Sequence, residues 1–403
     1  MTLVDIIATI LSFSCLGIIG LMIAVRVNVP YSLILVVLGF AVSFVLVPLG
    51  WDTGIRASNF QHLMLYGLLP ILIFEAAFNL DFELLKKFLP NTLTLATLGL
   101  IISSLVTAAV LYYSINHPGF PFIAALLTGV VVSATDPVAV VNQLKALKAP
   151  ADLNVLIEGE SLFNDATAIV LFSILLSVAL GTADLSVGSA IGKFFVVFLG
   201  GVIVGGLLGY IAFWVAKLVE QQGSHFIFIT LVLAYSSFYI GEHLFHVSGI
   251  VAVLCAAITF KRFAGNISKP YYHELQDVWH FLGFVANVFV FVLLGLVVSL
   301  TMFRERWLAM LLAVGATLVA RIIAVYLSNA LNRYTFGETV DPRYAPIMIW
   351  GGLRGAVTIA LVLSLPTELP YWWTIQSIGF GVVLFTLIVQ APTNPWLMRR
   401  QKI

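Results

Sequence analysis

The sequence is poor in charge. Only 10% of its 403 residues are Asp, Glu, Lys or Arg, whereas soluble domains carry about 25%. The net charge is +1 and there is no basic run, which argues against a nucleic-acid partner. Apolar residues make up 61% of the chain, and the mean hydropathy is +1.07. This composition excludes an ordinary soluble domain and predicts an all-α polytopic membrane protein surrounded by lipid.

Cysteine is equally scarce. Cys15 and Cys255 both lie inside apolar runs, so no structural disulfide is expected. A positively charged segment is missing ahead of the first apolar run, which is therefore predicted to be a retained span and not a cleaved signal. The loops are short, and about ten residues follow the last apolar run. We therefore expect no soluble regulatory domain in this chain.

Windows of about 20 apolar residues predict thirteen transmembrane helices. The predicted spans are 4–25, 31–49, 63–80, 92–114, 121–143, 155–180, 188–216, 225–244, 247–260, 274–300, 308–331, 344–364 and 371–392. One set of alternating loops holds fourteen Lys and Arg residues, and the opposite set holds only Arg56, Arg304 and Arg306. Because positive loops stay cytoplasmic, we predict a plasma-membrane protein with its N-terminus outside and its C-terminus in the cytoplasm.

Thirteen spans can be divided into six, one linker and six, which gives two inverted six-helix repeats. Span 5 is interrupted at Ser133–Pro137 and its counterpart, span 12, at Gly351–Gly355. Breaks at corresponding positions of two repeats indicate a binding site near the membrane midplane. The predicted regions are scaffold or dimerisation helices in 1–91, core helices in 92–181, linker and scaffold helices in 182–301, core helices in 302–394, and a short cytoplasmic tail in 395–403.

The first break groups oxygen atoms at membrane depth. Pro137 has no N–H, so the carbonyl of Ser133 loses its helical partner. The Thr135 hydroxyl and the Asp136 carboxylate lie beside that free carbonyl, and such oxygen clusters suit hard cations. A simple proline kink with Asp136 reaching toward water is the alternative interpretation.

Span 6 contains the sequence EGESLFNDATAIVLF from Glu158 to Phe172. On a helix, Ser161 and Asp165 lie one turn apart on one face, and Glu158 continues that face. Asn164 lies on a second face with Glu160, and its amide has the shape of a carboxylate but cannot titrate. Polar groups at this depth are costly and indicate a pathway for ions or protons.

Glu160 and three further charged residues lie within predicted spans. Glu160 and Arg354 are interpreted as a buried ion pair, since a buried charge normally has a partner. Arg321 is left without an assigned partner, and a helix-end carbonyl is one candidate. Glu75 in span 3 is either a third carboxylate of the cavity or a neutral, hydrogen-bonded acid.

Three motifs, in order, resemble those of one family. VVSATDPVAVV, EGESLFNDATAIVLF and GGLRGAVTIALVLSLP together span Val131 to Pro366. They resemble the sodium/proton exchangers of the NHE/NhaP type, within the monovalent cation:proton antiporters. The resemblance implies a homodimer whose protomers contain two crossed broken helices in a core domain and a separate dimerisation domain. The short C-terminus resembles that of the prokaryotic members.

The resemblance also implies roles for individual residues. Asp165 matches the aspartate that carries the ion and the proton, and the further Na⁺ ligands would be Asp136, Ser161, the Thr135 carbonyl and Glu75. Glu160 and Arg354 match the core ion pair of the family, and Asn164 matches the asparagine of electroneutral members.

The predicted function is antiport of a monovalent cation, Na⁺ in the first place and Li⁺ as a further candidate, against H⁺, by alternating access and without a cofactor. Burial of a carboxylate favours its protonated form, so a proton and a cation can compete for it. The alternatives are a K⁺/H⁺ antiporter of the same fold, a cation channel, and an intramembrane aspartyl protease. An intramembrane aspartyl protease would need the GxGD signature, which is missing from the sequence. A cation channel would require a repeated selectivity filter, whereas a single asymmetric site favours a carrier. The expected role is pH homeostasis, and the chain is not expected to be an enzyme.

Overall fold

A computed structural model describes residues 3–27, 29–46, 63–182, 186–219, 222–337, 340–401 and 403. The ordered elements in these residues are helices, and no strand occurs among them. Eight of the described helices are long and apolar enough to cross a membrane. The prediction of an all-helical membrane protein is confirmed at this level.

The α-helices follow one another along the chain with short connections. They are α1 (Leu3–Ala24), α2 (Tyr31–Leu46), α3 (Leu69–Asn79), α4 (Phe82–Thr94), α5 (Leu100–Ile115), α6 (Phe122–Val131), α7 (Val138–Ala146), α8 (Ala151–Ala179), α9 (Val187–Leu218), α10 (Gly223–Tyr239), α11 (Gly249–Ser268), α12 (Tyr272–Val297), α13 (Leu300–Phe336), α14 (Tyr344–Trp350), α15 (Ala356–Leu363), α16 (Trp372–Phe385) and α17 (Ala391–Arg400). Short π-helical turns at Leu63–Leu68, Leu95–Gly99, Ile240–Leu244 and Thr386–Gln390 adjoin α3, α4, α10 and α16.

Both predicted interruptions occur in the structure. Helix α6 ends at Val131 and α7 begins at Val138, on either side of the break that precedes Pro137. Helix α14 ends at Trp350 and α15 begins at Ala356, after the glycine-rich break. Each break leaves a helix C-terminus and a helix N-terminus inside an apolar segment, where backbone groups without helical partners must find others.

The chain forms two compact units. Unit 1 comprises Met1–Gln61, Phe88–Ala168 and Asn287–Ile403, and unit 2 comprises His62–Lys87 and Ile169–Ala286. Unit 1 contains both interrupted segments and also α1 and α2, which the sequence assigns to the scaffold region. The functional division into transport and dimerisation regions stays a prediction.

Within unit 1, helix α5 packs on α6 and on α13, and α13 packs on α16. Helices α5 and α6 approach so closely that a side chain on Gly129 would overlap the carbonyl oxygen of Ser104. A buried apolar cluster, which includes Leu144, Leu153 and Met348, joins α7, α8 and α14. This packing holds the interrupted segments against α8.

Within unit 2, helix α9 packs along α11 through a row of glycines. An added Cβ would lie 2.7 Å from Ser248 O at Gly201 and 2.6 Å from Ala256 O at Gly209. Because no side chain intervenes, the two backbones approach closely, as is common between membrane helices. The rings of Phe74 and Trp279 stack with their centroids 4.2 Å apart and join α3 to α12.

Candidate functional site

The two interruptions contact each other in unit 1. The backbone N–H of Asp136, in the first break, donates to the carbonyl of Leu353, in the second, at 2.7 Å. Pro137 cannot donate a helical hydrogen bond, and the glycines at 351, 352 and 355 weaken helix in the second break. Four helix ends therefore meet at one place, two of them N-termini and two C-termini.

The carboxylate of Asp136 contacts both N-termini. Its Oδ1 accepts from the N–H of Val138 at 3.0 Å, at the start of α7, and its Oδ2 from the N–H of Ala356 at 3.4 Å, at the start of α15. A side chain at Gly355 would overlap this carboxylate, so the contact requires glycine there. A negative charge at two helix N-termini is favourable, because both present partial positive charge.

Two guanidinium groups contact the C-termini. Arg354 donates through NH1 to the carbonyls of Ser133 at 3.1 Å and Ala134 at 3.2 Å, just beyond the end of α6. Arg321 donates to the carbonyl of Met348, in the last turn of α14, from Nε at 3.1 Å and from NH2 at 3.0 Å. Each broken helix thus has a positive charge at its C-terminal end, as the helix dipole favours.

The predicted pairing of Glu160 with Arg354 is wrong. The partner of Glu160 is Arg321, whose NH1 and NH2 lie 2.9 Å from Oε1 and Oε2 in a two-pronged contact. Both side chains are buried. Arg354 is instead engaged by the carbonyls that the first break leaves without helical donors. The helix-end carbonyl considered for Arg321 is indeed one of its partners, at Met348.

Helix α8 is tied to the first break by two side chains. The hydroxyl of Ser161 donates to the carbonyl of Thr135. The amide nitrogen of Asn164 lies 3.2 Å from Ser133 O, 3.2 Å from Thr135 Oγ1 and 3.1 Å from Glu160 Oε1. Since all three neighbours can accept, position 164 requires a donor. A carboxylate there would face these oxygens and would need a proton of its own.

Asp165 lies one turn after Ser161 on the same face of α8. Its Oδ1, and the Oδ1 of Asn164, are buried and have no hydrogen-bond partner among the described residues. A buried carboxylate oxygen without a partner is costly unless a proton or a cation occupies it. Asp165 therefore has a carboxylate oxygen without a hydrogen-bond partner among the described residues, whereas each carboxylate oxygen of Asp136 and Glu160 accepts a hydrogen bond.

A cavity of about 200 Å³ lies at the first break in unit 1, and Asp165 is not among the residues that line it. It is lined by Thr135, Asp136, Pro137, Ile157, Glu160, Ser161, Arg321, Met348 and Gly351. Three residues predicted as ion ligands, Thr135, Asp136 and Ser161, are thus brought to one cavity. Hydroxyl, carbonyl and carboxylate oxygens are the ligands that hard cations prefer.

Glu75 belongs to unit 2. Its Oε1 lies 2.8 Å from Nδ1 of His280 and 2.9 Å from the amide nitrogen of Asn79. The amide of Gln276 reaches Asn79 Oδ1 at 3.3 Å, which extends the polar network. His280 could not be predicted as a partner of Glu75, because this contact depends on the packing of α12 on α3. The ligand role of Glu75 stays a prediction.

Comparison with known proteins agrees with these features. The family described as sodium/hydrogen exchanger, transmembrane, matches residues 10–400. The chain is 34% identical over 375 residues to the Na⁺/H⁺ antiporter ApNhaP of Aphanothece halophytica, covering 91% of this chain and 68% of that one. It is 30% identical over 406 residues to the Na⁺/H⁺ antiporter NhaH of Halobacillus dabanensis, covering 98% of each.

A solved structure has the same fold. The sodium proton antiporter MjNhaP1 of Methanocaldococcus jannaschii superposes with a TM-score of 0.82 over 98% of this chain and 99% of that one. The two sequences are 20% identical, so this likeness concerns the fold.

Proposed function

The chain belongs to the sodium/hydrogen exchanger family, and we propose that it exchanges Na⁺ for H⁺ across the membrane at Asp165. It is a transporter and not an enzyme. The observation that carries the proposal is the buried Oδ1 of Asp165, which has no hydrogen-bond partner among the described residues. Glu160 is paired with Arg321, and the Asp136 carboxylate is held at two helix N-termini and has only its remaining lone pairs to offer, so Asp165 is the carboxylate that can exchange a proton for a cation.

Na⁺ would be bound by Asp165 together with Asp136, Ser161 and Thr135. Thr135 offers its carbonyl, which Ser161 already contacts, so the two helices that carry the ligands are held together before the ion arrives. The predicted contribution of Glu75 is kept as a separate hypothesis, since its carboxylate is hydrogen-bonded to His280 and Asn79.

Exchange follows from competition for one carboxylate. Asp165 holds either a proton or a cation, and the empty, charged form is costly to move through the low-dielectric interior. The loaded forms reorient and the empty form does not, which makes exchange obligatory. Inverted six-helix repeats among thirteen spans, with two broken crossing helices, would permit alternating access by rigid-body motion.

Asn164 supports a stoichiometry of one cation per proton. Its side chain is an amide, which donates hydrogen bonds within the site. Because an amide is neutral and does not titrate, Asn164 adds no second titrating group beside Asp165. The protein would function as a homodimer in the plasma membrane, with its N-terminus outside and its C-terminus in the cytoplasm.

The test is transport by purified protein in liposomes. A pH gradient is imposed, and uptake of Na⁺, Li⁺ and K⁺ is measured for the wild type and for Asp165→Asn. Proton-coupled Na⁺ uptake by the wild type, absent from Asp165→Asn, is the expected result. Coupling to K⁺ alone would replace the proposal with K⁺/H⁺ antiport, and cation flux that ignores the pH gradient would indicate a channel.

A further inference from the structure

Helix α17 is joined to α7, the half-helix that follows the first break, by a buried amide contact. The side chain of Gln143, on α7, donates from Nε2 to the carbonyl of Ala391 at 2.8 Å. Its Oε1 accepts from Nδ2 of Asn394, on α17, at 3.1 Å. Asn394 is fully buried. The proposed exchange at Asp165 assigns no role to these residues.

The sequence explains why the carbonyl of Ala391 needs a donor from outside its own helix. In an α-helix it would accept from the N–H four residues later, and position 395 is a proline, which has no N–H. Gln143 supplies the missing donor. The first break shows the same arrangement, because Pro137 frees the carbonyl of Ser133 and a side chain from another segment donates to it.

A neighbouring contact joins α17 to the second broken helix. Trp350, the last residue of α14, donates from Nε1 to Oγ1 of Thr393 at 2.9 Å. Thr393 and Asn394 are adjacent in α17. One turn of α17 therefore holds both the half-helix that follows the first break and the half-helix that precedes the second.

Helix α7 depends on tertiary contacts for its position. It has nine residues, too few for a stable helix in isolation. Its N-terminal end holds the Asp136 carboxylate through the N–H of Val138, and Thr135 directly precedes Asp136. Gln143 lies about 7.5 Å further along the helix axis than Val138. A shift of α7 at Gln143 would therefore be transmitted to both Thr135 and Asp136, which are proposed Na⁺ ligands.

The apolar contacts around the amides do not fix the position of α7 by themselves. Leu144 of α7 and Met398 of α17 belong to one buried apolar cluster, and apolar contact is not directional. The two amide hydrogen bonds are directional and specify the register of α7 against α17. Asn394 also keeps its Oδ1 buried without a hydrogen-bond partner among the described residues. An apolar side chain would avoid that cost, so stability alone does not account for an asparagine here.

We propose that Gln143 and Asn394 are positioning residues for Na⁺ binding. They act through α7, whose register against α17 sets the positions of Thr135 and Asp136. Neither of them lines the cavity at the first break, so neither would touch the ion. This inference rests on the proposed Na⁺/H⁺ exchange at Asp165.

The competing explanation is a contact that only stabilises the fold. Loss of such a contact would lower the thermal stability and the amount of active protein, and with it the maximal rate. It would leave unchanged the cation concentration at half-maximal rate, K0.5, and the ratio of the K0.5 values for Na⁺ and Li⁺. Loss of a positioning residue would raise K0.5, because displaced ligands bind the dehydrated cation less well.

The experiment uses the purified full chain in liposomes. Initial rates of H⁺ flux are measured against the concentration of Na⁺ and, separately, of Li⁺, and thermal unfolding is measured in detergent. Gln143→Met and Asn394→Leu remove the two amides with little change in side-chain size. Asn142→Leu is the matched control, because it removes an exposed amide from the adjacent position of α7.

A triple variant separates positioning from stability. Gln143→Met alone leaves the carbonyl of Ala391 and the amide nitrogen of Asn394 buried without partners, which is destabilising by itself. In the triple variant, Asn394→Leu removes that amide and Pro395→Ala supplies a helical N–H to Ala391. Neither group is then left unpaired, so thermal stability should return toward the wild-type value while α7 stays unlinked from α17.

Both single variants are expected to raise K0.5 for Na⁺ about tenfold, the lower end of the loss seen when a group that orients a metal ligand is removed. The ratio of the K0.5 values for Na⁺ and Li⁺ should change, because displaced ligands fit the two ion sizes differently. The triple variant should keep the raised K0.5 despite its recovered stability. Asn142→Leu should show wild-type values.

A wild-type K0.5 for Na⁺ in the triple variant, or in both single variants, would overturn the proposal. If the single variants fail to fold, the triple variant still decides, since it leaves no group of this contact unpaired. A wild-type protein without Na⁺-dependent H⁺ flux would refute the proposed exchange together with this inference. Wild-type flux with an unchanged K0.5 in the variants would refute this inference alone.

Discussion

Arg321 and Glu160 meet in a two-pronged ion pair, with both N–O distances at 2.9 Å and both side chains buried. The same guanidinium also donates to the carbonyl of Met348. One arginine therefore joins α13, α8 and the C-terminal end of α14. Arg354 donates to carbonyls just beyond the C-terminal end of α6. Each of the two broken helices therefore has one buried arginine at its C-terminal end.

The first prediction concerns this ion pair. Glu160→Gln or Arg321→Gln should each reduce the free energy of unfolding by about 3–5 kcal/mol, because each leaves a buried charge without its partner. The double variant should recover part of that loss. Thermal unfolding in detergent measures the effect.

Arg354→Gln provides the comparison for the pair. The coupling free energy between Arg354→Gln and Glu160→Gln in a double-mutant cycle should be much smaller than that between Arg321→Gln and Glu160→Gln. The reason is that Arg354 contacts backbone carbonyls and not the Glu160 carboxylate. Equal coupling of Glu160 to the two arginines would contradict the assignment.

The second prediction concerns Asp165. Asp165→Asn keeps the side-chain volume and removes the charge that would hold a cation or a proton, so exchange should be lost while the fold persists. Flux in liposomes tests the loss of exchange, and the elution profile in detergent tests whether the fold is retained. Near-wild-type flux through a well-folded Asp165→Asn protein would remove Asp165 from the mechanism.

The third prediction concerns the close approach at Gly355. Gly355→Ala places a methyl group on the Asp136 carboxylate, which cannot retreat easily because the Asp136 N–H is bound to Leu353 O. We expect the loss of most exchange activity and a destabilisation of about 1–3 kcal/mol from overpacking. Gly315→Ala is the matched control. No atom lies within 4 Å of an added Cβ at that helical position, so activity and stability should be retained.

The fourth prediction is that exchange is electroneutral, because Asn164 adds no second titrating group. A cycle that moved one net charge would respond to about 2.3 kcal/mol per 100 mV of membrane potential, and an electroneutral cycle would not respond. Na⁺-driven H⁺ flux is measured in proteoliposomes with the potential clamped by K⁺ and valinomycin at zero and then at about −100 mV. A clear shift of the reversal point with potential would show that Asp136, Glu75 or another group carries a second proton.

Many features of the site could be predicted from the sequence because they are local. Pro137 removes a helical donor at its own position, and the glycines at 351, 352 and 355 weaken the helix at theirs. Both breaks can therefore be predicted from the sequence alone. The common face of Ser161 and Asp165 follows from helical periodicity alone. The lipid environment follows from the low charged fraction, 10%, and the high apolar fraction, 61%.

The partners of buried charges were decided by tertiary structure. A buried Glu160 needs a positively charged partner, because desolvation makes an unpaired buried charge costly. The sequence alone does not distinguish Arg321 from Arg354 as that partner, since both lie in apolar segments. The choice depends on which guanidinium the packing of α13 and the second break brings to α8, and Arg321 lies 161 residues away along the chain. The contacts of Glu75 with His280 and of Asp136 with two helix N-termini have the same origin, because long-range packing, and not local pattern, places one polar group within 3–4 Å of another.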